Sequence, residues 1–258
     1  MTTPDPTGNL RSIEIVEDRS SESRCDAGFL RVARLRLRNH YEDGVQSDVY
    51  ACDVLSRPGS DAVVAVLFEI DGHKTVRVLL RDGARPPIYL RRNRTFVHPD
   101  PRVYFSLKEL VAGMVEPTDG AGDEGLVRRA ATEADEEVDL RVATESFRVI
   151  GGETFASPGT SDEKLYFCAG PAELAAAGPG RGDGSVMEER SRVVTAELGE
   201  AIRACRSGEI PDMKTEVGLL RLADHLGYLP QLGCFVDELP AELVARYSRL
   251  GVSSRDER

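Results

Sequence analysis

Residues Leu126 to Val138 carry two patterns that one helix has to reconcile: an apolar stripe and the acidic run E-A-D-E-E from Glu133 to Glu137. Turning roughly 100° per residue brings Leu126, Val127, Ala130, Ala131, Ala134 and Val138 onto one arc, a face suited to packing on a sheet. Glu137 falls inside that arc, and Glu133 and Glu136 lie just beside its edge. All three carboxylates stack on one side within about one turn. An unpaired carboxylate is expensive to bury, so the fold must bring positive charge to this place. A hard divalent cation such as Mg²⁺ meets the need, because it takes carboxylate and water oxygens and shares itself with substrate phosphates. Taken alone, the run reads more readily as a solvated acidic face, common in a chain with 44 Asp and Glu.

The flanks decide between these readings. Upstream runs L-V-A-G-M-V-E-P, Leu110 to Pro117, and downstream runs F-A-S-P-G-T-S-D-E, Phe155 to Glu163. With the acidic helix, these segments resemble the Nudix hydrolases, most closely the branch of ADP-ribose pyrophosphatases and nucleoside-diphosphate-sugar hydrolases. The box of that family, G-x5-E-x7-R-E-U-x-E-E-x-G-U with U aliphatic, can be followed from Gly113 to Leu140. A few extra residues within Thr118 to Glu124 lengthen its loop, so Asp119 or Glu124 can match the first glutamate. Thr132 replaces the arginine that braces the family's carboxylates, and Arg129, four residues before Glu133 on the same face, is placed to supply part of that support. Asp139 replaces a glycine where the helix should end in a left-handed residue, a conformation that Asp tolerates.

The resemblance implies an α/β (α+β) fold, a Nudix-type α/β/α sandwich with a mixed sheet preceded by a small antiparallel β segment. It also implies Mg²⁺, with Mn²⁺ as a possible substitute, held by Glu133, Glu136 and Glu137 with Glu116 contributing. The implied reaction is hydrolysis of the diphosphate of a nucleotide sugar to a nucleoside monophosphate and a sugar phosphate. Glu137 is then catalytic as well as a ligand, and the water-activating glutamate is one of Glu188, Glu189 or Glu163. Substrate contacts fall to Arg85, to Tyr50 in the N-terminal strands, and to Ser157 and Gly159 of the S-P-G loop. Family members grip adenine with an arginine or aromatic clamp. Asp48 to Asp53 offers Tyr50 but no arginine, so ADP-ribose stands beside UDP-, GDP- and TDP-linked sugars. A homodimer built through the N-terminal strands is a further implication. The alternative reading is a Nudix-fold sensor or regulatory module that binds a nucleotide without cleaving it, favoured by Thr132 and the stretched loop. A third possibility, a dinucleotide polyphosphate or nucleoside triphosphate substrate, runs against the S-P-G-T-S-D-E loop by resemblance.

Composition narrows the partners. A net charge of −11 repels nucleic-acid backbones, and it repels a diphosphate too unless the site reverses the sign locally. No apolar run approaches the roughly 20 residues of a membrane span, and the start lacks the regions of a signal peptide, so the expectation is a cytoplasmic protein with no membrane partner. Five scattered cysteines suit reduced packing thiols, and four dispersed histidines suggest no histidine-bound metal.

Along the chain, residues 1–10 read as a disordered start, 11–58 as a β-rich subdomain, 59–232 as the Nudix domain, and 233–258 as a C-terminal helix and tail. Ala62 to Ile70 and Thr75 to Leu80 form a hairpin across D-G-H-K. Strands are expected over Tyr104 to Leu110, Phe147 to Phe155 and Lys164 to Ala169, with helices over Leu198 to Cys205, Thr215 to Leu226 and Leu239 to Leu250. Arg81 reads as a surface arginine. The glycine-rich stretch Gly178 to Gly184 lacks the context of a phosphate loop and reads as a flexible connection.

Overall fold

A computed structural model describes residues 10–19, 29–180, 191–250 and 252. Its contacts divide the chain into two compact units, one of residues 1–60 with 155–164 and one of residues 61–154 with 165–258.

The first unit is built on three antiparallel strands, β1 (Leu10–Asp18), β2 (Arg31–Tyr41) and β3 (Tyr50–Ser56), in the order β1-β2-β3. Ile15 pairs with Leu37 and Leu35 with Cys52, in a register that keeps alternate apolar residues on one face. Leu10, grouped with the disordered start by composition, opens β1 and pairs with Tyr41. Residues 1–9 lie outside the described part. The segment after Phe155 closes on β3 through the Leu55 N–H bond to the Thr160 carbonyl at 2.8 Å.

The second unit is organised by β4 (Ala62–Ile70), whose first seven residues are all buried, as a strand covered on both faces requires. It forms a hairpin with β5 (Val76–Gly83), across a turn in which Lys74 takes a φ of 63°. A four-residue helix α1 (Pro86–Tyr89) and a 3-10 turn follow. Then come β6 (Leu107–Glu109) on β5, and β7 (Val111–Met114) on β4. After α2 (Gly122–Val138), β8 (Arg148–Val149) and β9 (Thr154–Phe155) precede β10 (Lys164–Pro171), which lies parallel to β4. β11 (Arg192–Glu197) pairs with β5, giving the order β11-β5-β4-β10-β8. One face packs on α2: Ala130, Ala134 and Val138 meet Val63, Ala65, Leu67, Leu79, Val111 and Cys168. The other face takes α3 (Leu198–Arg206) and α4 (Met213–Leu226), which approaches closely because Gly218 lies against Leu110, Phe167 and Val66. β12 (Tyr228–Leu229), β13 (Cys234–Phe235) and α5 (Ala241–Ser248) finish the unit. The result is the mixed-sheet α/β/α sandwich that the sequence implied.

Three expected strands change extent. Phe147 to Phe155 is not one strand, because the Gly151-Gly152 bend separates β8 from β9. The strand expected from Tyr104 begins only at Leu107, after the Pro99–Pro101 segment. β5 runs on to Gly83 because β6 and β11 both pair with its end. Among the described residues, no helix is long and apolar enough to cross a membrane. Cys52, Cys168, Cys205 and Cys234 are free thiols, and burial pushes Cys168 up to about 12. Cys25 lies outside the described residues.

Candidate functional site

The acidic helix is fixed at both ends. Asp139 adopts φ 52° and ψ 31°, the left-handed cap expected there, while the Leu140 N–H returns to the Ala134 carbonyl at 3.0 Å. Upstream, the lengthened loop folds into a 3-10 turn over Pro117–Asp119, and the Asp119 carboxylate accepts from the Glu116 N–H at 2.7 Å. That turn buries Asp119 and leaves Glu124 exposed. Asp119 bonds to Arg129 of α2, whereas Glu124 stands in the exposed first turn of that helix. Arg129 donates to it twice, Nε at 2.8 Å and Nη2 at 3.0 Å, and also meets Glu116 at 3.0 Å and Glu133 at 3.4 Å. Burial disfavours the Arg129 charge, but bonds to Asp119 and Glu116 outweigh it and hold the guanidinium above its ordinary pKa. Arg129 thus meets Glu133 from one turn earlier on the same helix face, as its spacing predicted. Thr132 itself only returns its hydroxyl to the Arg128 carbonyl.

Glu133 and Glu137 are buried, at 8% and 7% exposure, and Glu136 is half-buried. The Glu133 carboxylate lies where a side chain at position 113 would stand, so β7 needs Gly113 there. Glu137 accepts from Arg81 Nη1 at 2.8 Å, with 4% and 7% of the two side chains exposed. Arg81 is thus no surface residue. It follows buried Leu79 by two positions on β5 and points with it toward α2. Among the described residues, no three His, Cys, Asp or Glu side chains come together closely enough to share one ion. The donors nevertheless suit a hard cation in kind: three carboxylates on one turn, two of them buried anions that require a positive neighbour. That neighbour is Arg129 for Glu133 and Arg81 for Glu137.

A second buried network adjoins β5. Glu109, the cross-strand partner of Arg81, is 4% exposed and accepts from Arg85 Nε at 2.5 Å and from Lys214 Nζ. Lys214 also meets Asp212 at 2.9 Å; burial opposes its charge, and the two carboxylates more than restore it, raising its pKa. Asp212 caps α4 through the Thr215 N–H at 3.1 Å, and the Thr215 hydroxyl accepts from the Leu110 N–H at 2.9 Å. This chain of bonds ties Arg85 to the first turn of α4.

The fold has known relatives in structure. A crystal structure described as an ADP compounds hydrolase superposes with a TM-score of 0.54 at 12% identity, covering 86% of this chain and 96% of that one. What the two share is the fold. At that identity the likeness carries no activity with it. No protein-family model matches the chain, and no curated protein matches its sequence.

The remaining predicted residues fall in the first unit or outside the described part. Tyr50 donates its hydroxyl to Asn39 Oδ1 at 2.7 Å and is 37% exposed. Ser157 and Thr160 hydroxyls bond at 2.8 Å, and a side chain at Gly159 would meet open space. Gly159 and Thr160 line a shallow cavity together with Cys52 and Phe155, and neither Tyr50 nor Ser157 is part of its lining. Glu163 is held by Arg57 at 2.5 Å. Glu188 and Glu189 lie outside the described residues, as does most of the glycine-rich stretch. Arg81, Glu109 and Asp119 are the site residues that sequence reasoning passed over or left open. Alternation carried the signal for the first two, since Arg81 is in phase with Leu79, and Glu109 with Leu107 and Val111.

Proposed function

We propose that the chain is a Mg²⁺-dependent hydrolase of nucleoside-diphosphate sugars or related diphosphates, yielding a nucleoside monophosphate and a sugar phosphate. The observation that carries this reading is the pair of buried glutamates on one helix, Glu133 met by Arg129 from the preceding turn and Glu137 by Arg81 from β5. Glu133, Glu136 and Glu137 would hold the cation, with Glu116 at the margin. When bound, the cation supplies charge neutralisation on a phosphoryl oxygen and a more acidic water. Arg129 keeps Glu133 in position and ties it to Asp119. Arg85, aligned by Glu109 and Lys214, presents a guanidinium suited to two oxygens of a diphosphate. Glu188 or Glu189 takes the water's proton, a role worth on the order of 10²–10⁴ in rate. Glu163 is the third candidate, engaged by Arg57. Tyr50, Ser157 and Gly159 belong to the same reading as substrate contacts, and a homodimer and cytoplasmic residence as its setting.

The test is formation of nucleoside monophosphate and sugar phosphate from a panel of ADP-ribose and UDP-, GDP- and TDP-sugars with Mg²⁺ or Mn²⁺, with Glu137→Gln as the control. Turnover in the wild type that falls at least a hundredfold in the variant supports the assignment, and equal turnover contradicts it. The Arg81–Glu137 pair favours a second reading, a nucleotide sensor without hydrolysis, since it already neutralises one of the three carboxylates. Tight nucleotide binding that ignores the metal, with no product over hours, selects the sensor.

A further inference from the structure

We infer that the connection between β5 and β6 recognises the nucleotide, holding its base on the Phe105 ring and its phosphate oxygens on Arg92. The inference rests on the nucleotide ligand of the proposed function, hydrolase or sensor, and adds the element that binds it. Residues 84–106 carry five arginines against a single acidic residue, Asp100, in a chain whose net charge is −11. The local reversal of sign that an anionic ligand requires is concentrated in this one stretch.

Aromatic rings, more than carboxylates, hold these arginines. Arg92 lies 3.8 Å over the Tyr89 ring, Arg91 4.2 Å over Phe96, and Arg102 4.9 Å over Tyr104. Asp100 meets Arg91 and Arg102, both at 3.6 Å, and accepts from the Tyr104 hydroxyl at 3.0 Å. Among the described residues no carboxylate meets Arg92, which is exposed. Stacking occupies one face of a guanidinium and leaves its in-plane N–H donors free for two oxygens of a phosphate. Because the ring already holds the side chain, less rotamer freedom is lost when an anion binds.

Beside that donor stands an open ring. Tyr89 also meets Phe105, with centroids 5.8 Å apart and planes inclined at 50°, and Phe105 is 71% exposed. The two contacts of Tyr89 limit the separation of the Arg92 guanidinium and the Phe105 ring to the span of a nucleotide from base to phosphate. A bare ring and an unpaired guanidinium on one support match a planar base and an oxyanion. The support is tied to the candidate site, since the carbonyl of Arg85, the N-cap of α1, accepts from the Ile88 and Tyr89 N–H groups, both at 3.1 Å. Tyr89 thus stands one turn from the guanidinium that Glu109 aligns. Single-stranded nucleic acid offers the same chemistry, but the acidic remainder of the chain opposes its long backbone.

The experiment titrates ADP, UDP, GDP and TDP into the full chain by calorimetry, with a chelator in place of metal, at low and at high salt. At least one nucleotide should bind. Phe105→Ala should weaken it about tenfold at both salts, and Phe105→Tyr, which keeps the ring, should not. Arg92→Gln should weaken it about tenfold at low salt and less at high salt, because a charge-assisted contact is lost. Arg246→Gln, the same change of charge on α5, should have no effect. No binding of any of the four, or binding that either Phe105→Ala or Arg92→Gln leaves unchanged, overturns the inference. A single-stranded oligonucleotide that binds about tenfold or more above the mononucleotide overturns it in favour of nucleic acid. Hydrolysis in the substrate panel with KM unaffected by both variants sinks this inference alone. Binding through both residues with no hydrolysis anywhere sinks the hydrolase reading instead.

Discussion

Two arginine–glutamate pairs, one in each compact unit, look alike on paper and differ in consequence. Arg81–Glu137 closes at 2.8 Å with 4% and 7% of the side chains exposed, and Arg57–Glu163 closes at 2.5 Å with 22% and 29% exposed. The shorter contact is the weaker contributor. Water solvates either partner of the Arg57 pair once it opens, whereas the Arg81 pair can open only onto protein or a ligand. Access to solvent, more than separation, sets how much each pair can do.

The contrast can be broken most directly at Arg81. Arg81→Ala should lower stability by about 3–5 kcal/mol, with most of the loss recovered in Arg81→Met/Glu137→Leu, because an apolar pair removes both charges together. Urea unfolding of the three proteins checks it, and a loss that persists in the double variant would place the cost in packing. Gly113→Ala comes next, at about 2 kcal/mol, because the methyl group displaces the Glu133 carboxylate from its seat on β7. In the adjoining network, Thr215→Val should cost about 1–2 kcal/mol by leaving the buried Leu110 N–H without its acceptor. Arg57→Ala should change the unfolding free energy by less than about 1 kcal/mol. If Arg57→Ala rivals Arg81→Ala in the same denaturant series, the burial argument fails.

Much of this arrangement was legible before any coordinates. The apolar arc of α2, its left-handed end at Asp139 and the bracing role of Arg129 all follow from spacing along one helix, where geometry is local. The fold class followed from the resemblance of the box and its flanks. Arg81 was misread because arginine is usually exposed, and only its phase with Leu79 argues otherwise. Glu109 was overlooked because its partners, Arg85 and Lys214, come from distant segments that meet only in the folded sheet. Asp119 and Glu124 could not be told apart because their placement depends on how a lengthened loop turns; the one-turn helix at Pro117 buries Asp119 and leaves Glu124 exposed. Likewise, Gly151-Gly152 breaks an apparently continuous strand, since a bend there leaves the apolar spacing on either side intact.

The parallel pairing of β4 with β10 has a consequence for how the chain is made. Ala65 sits opposite Cys168, so one flank of β4 stays open during synthesis until the ribosome has delivered the segment ending at Pro171. The waiting edge, A-V-V-A-V-L-F, has the composition that self-associates most readily. Closure of so distant a contact is slow, and expression yield in this protein should therefore depend on translation rate and temperature more than on the equilibrium stability of the finished fold.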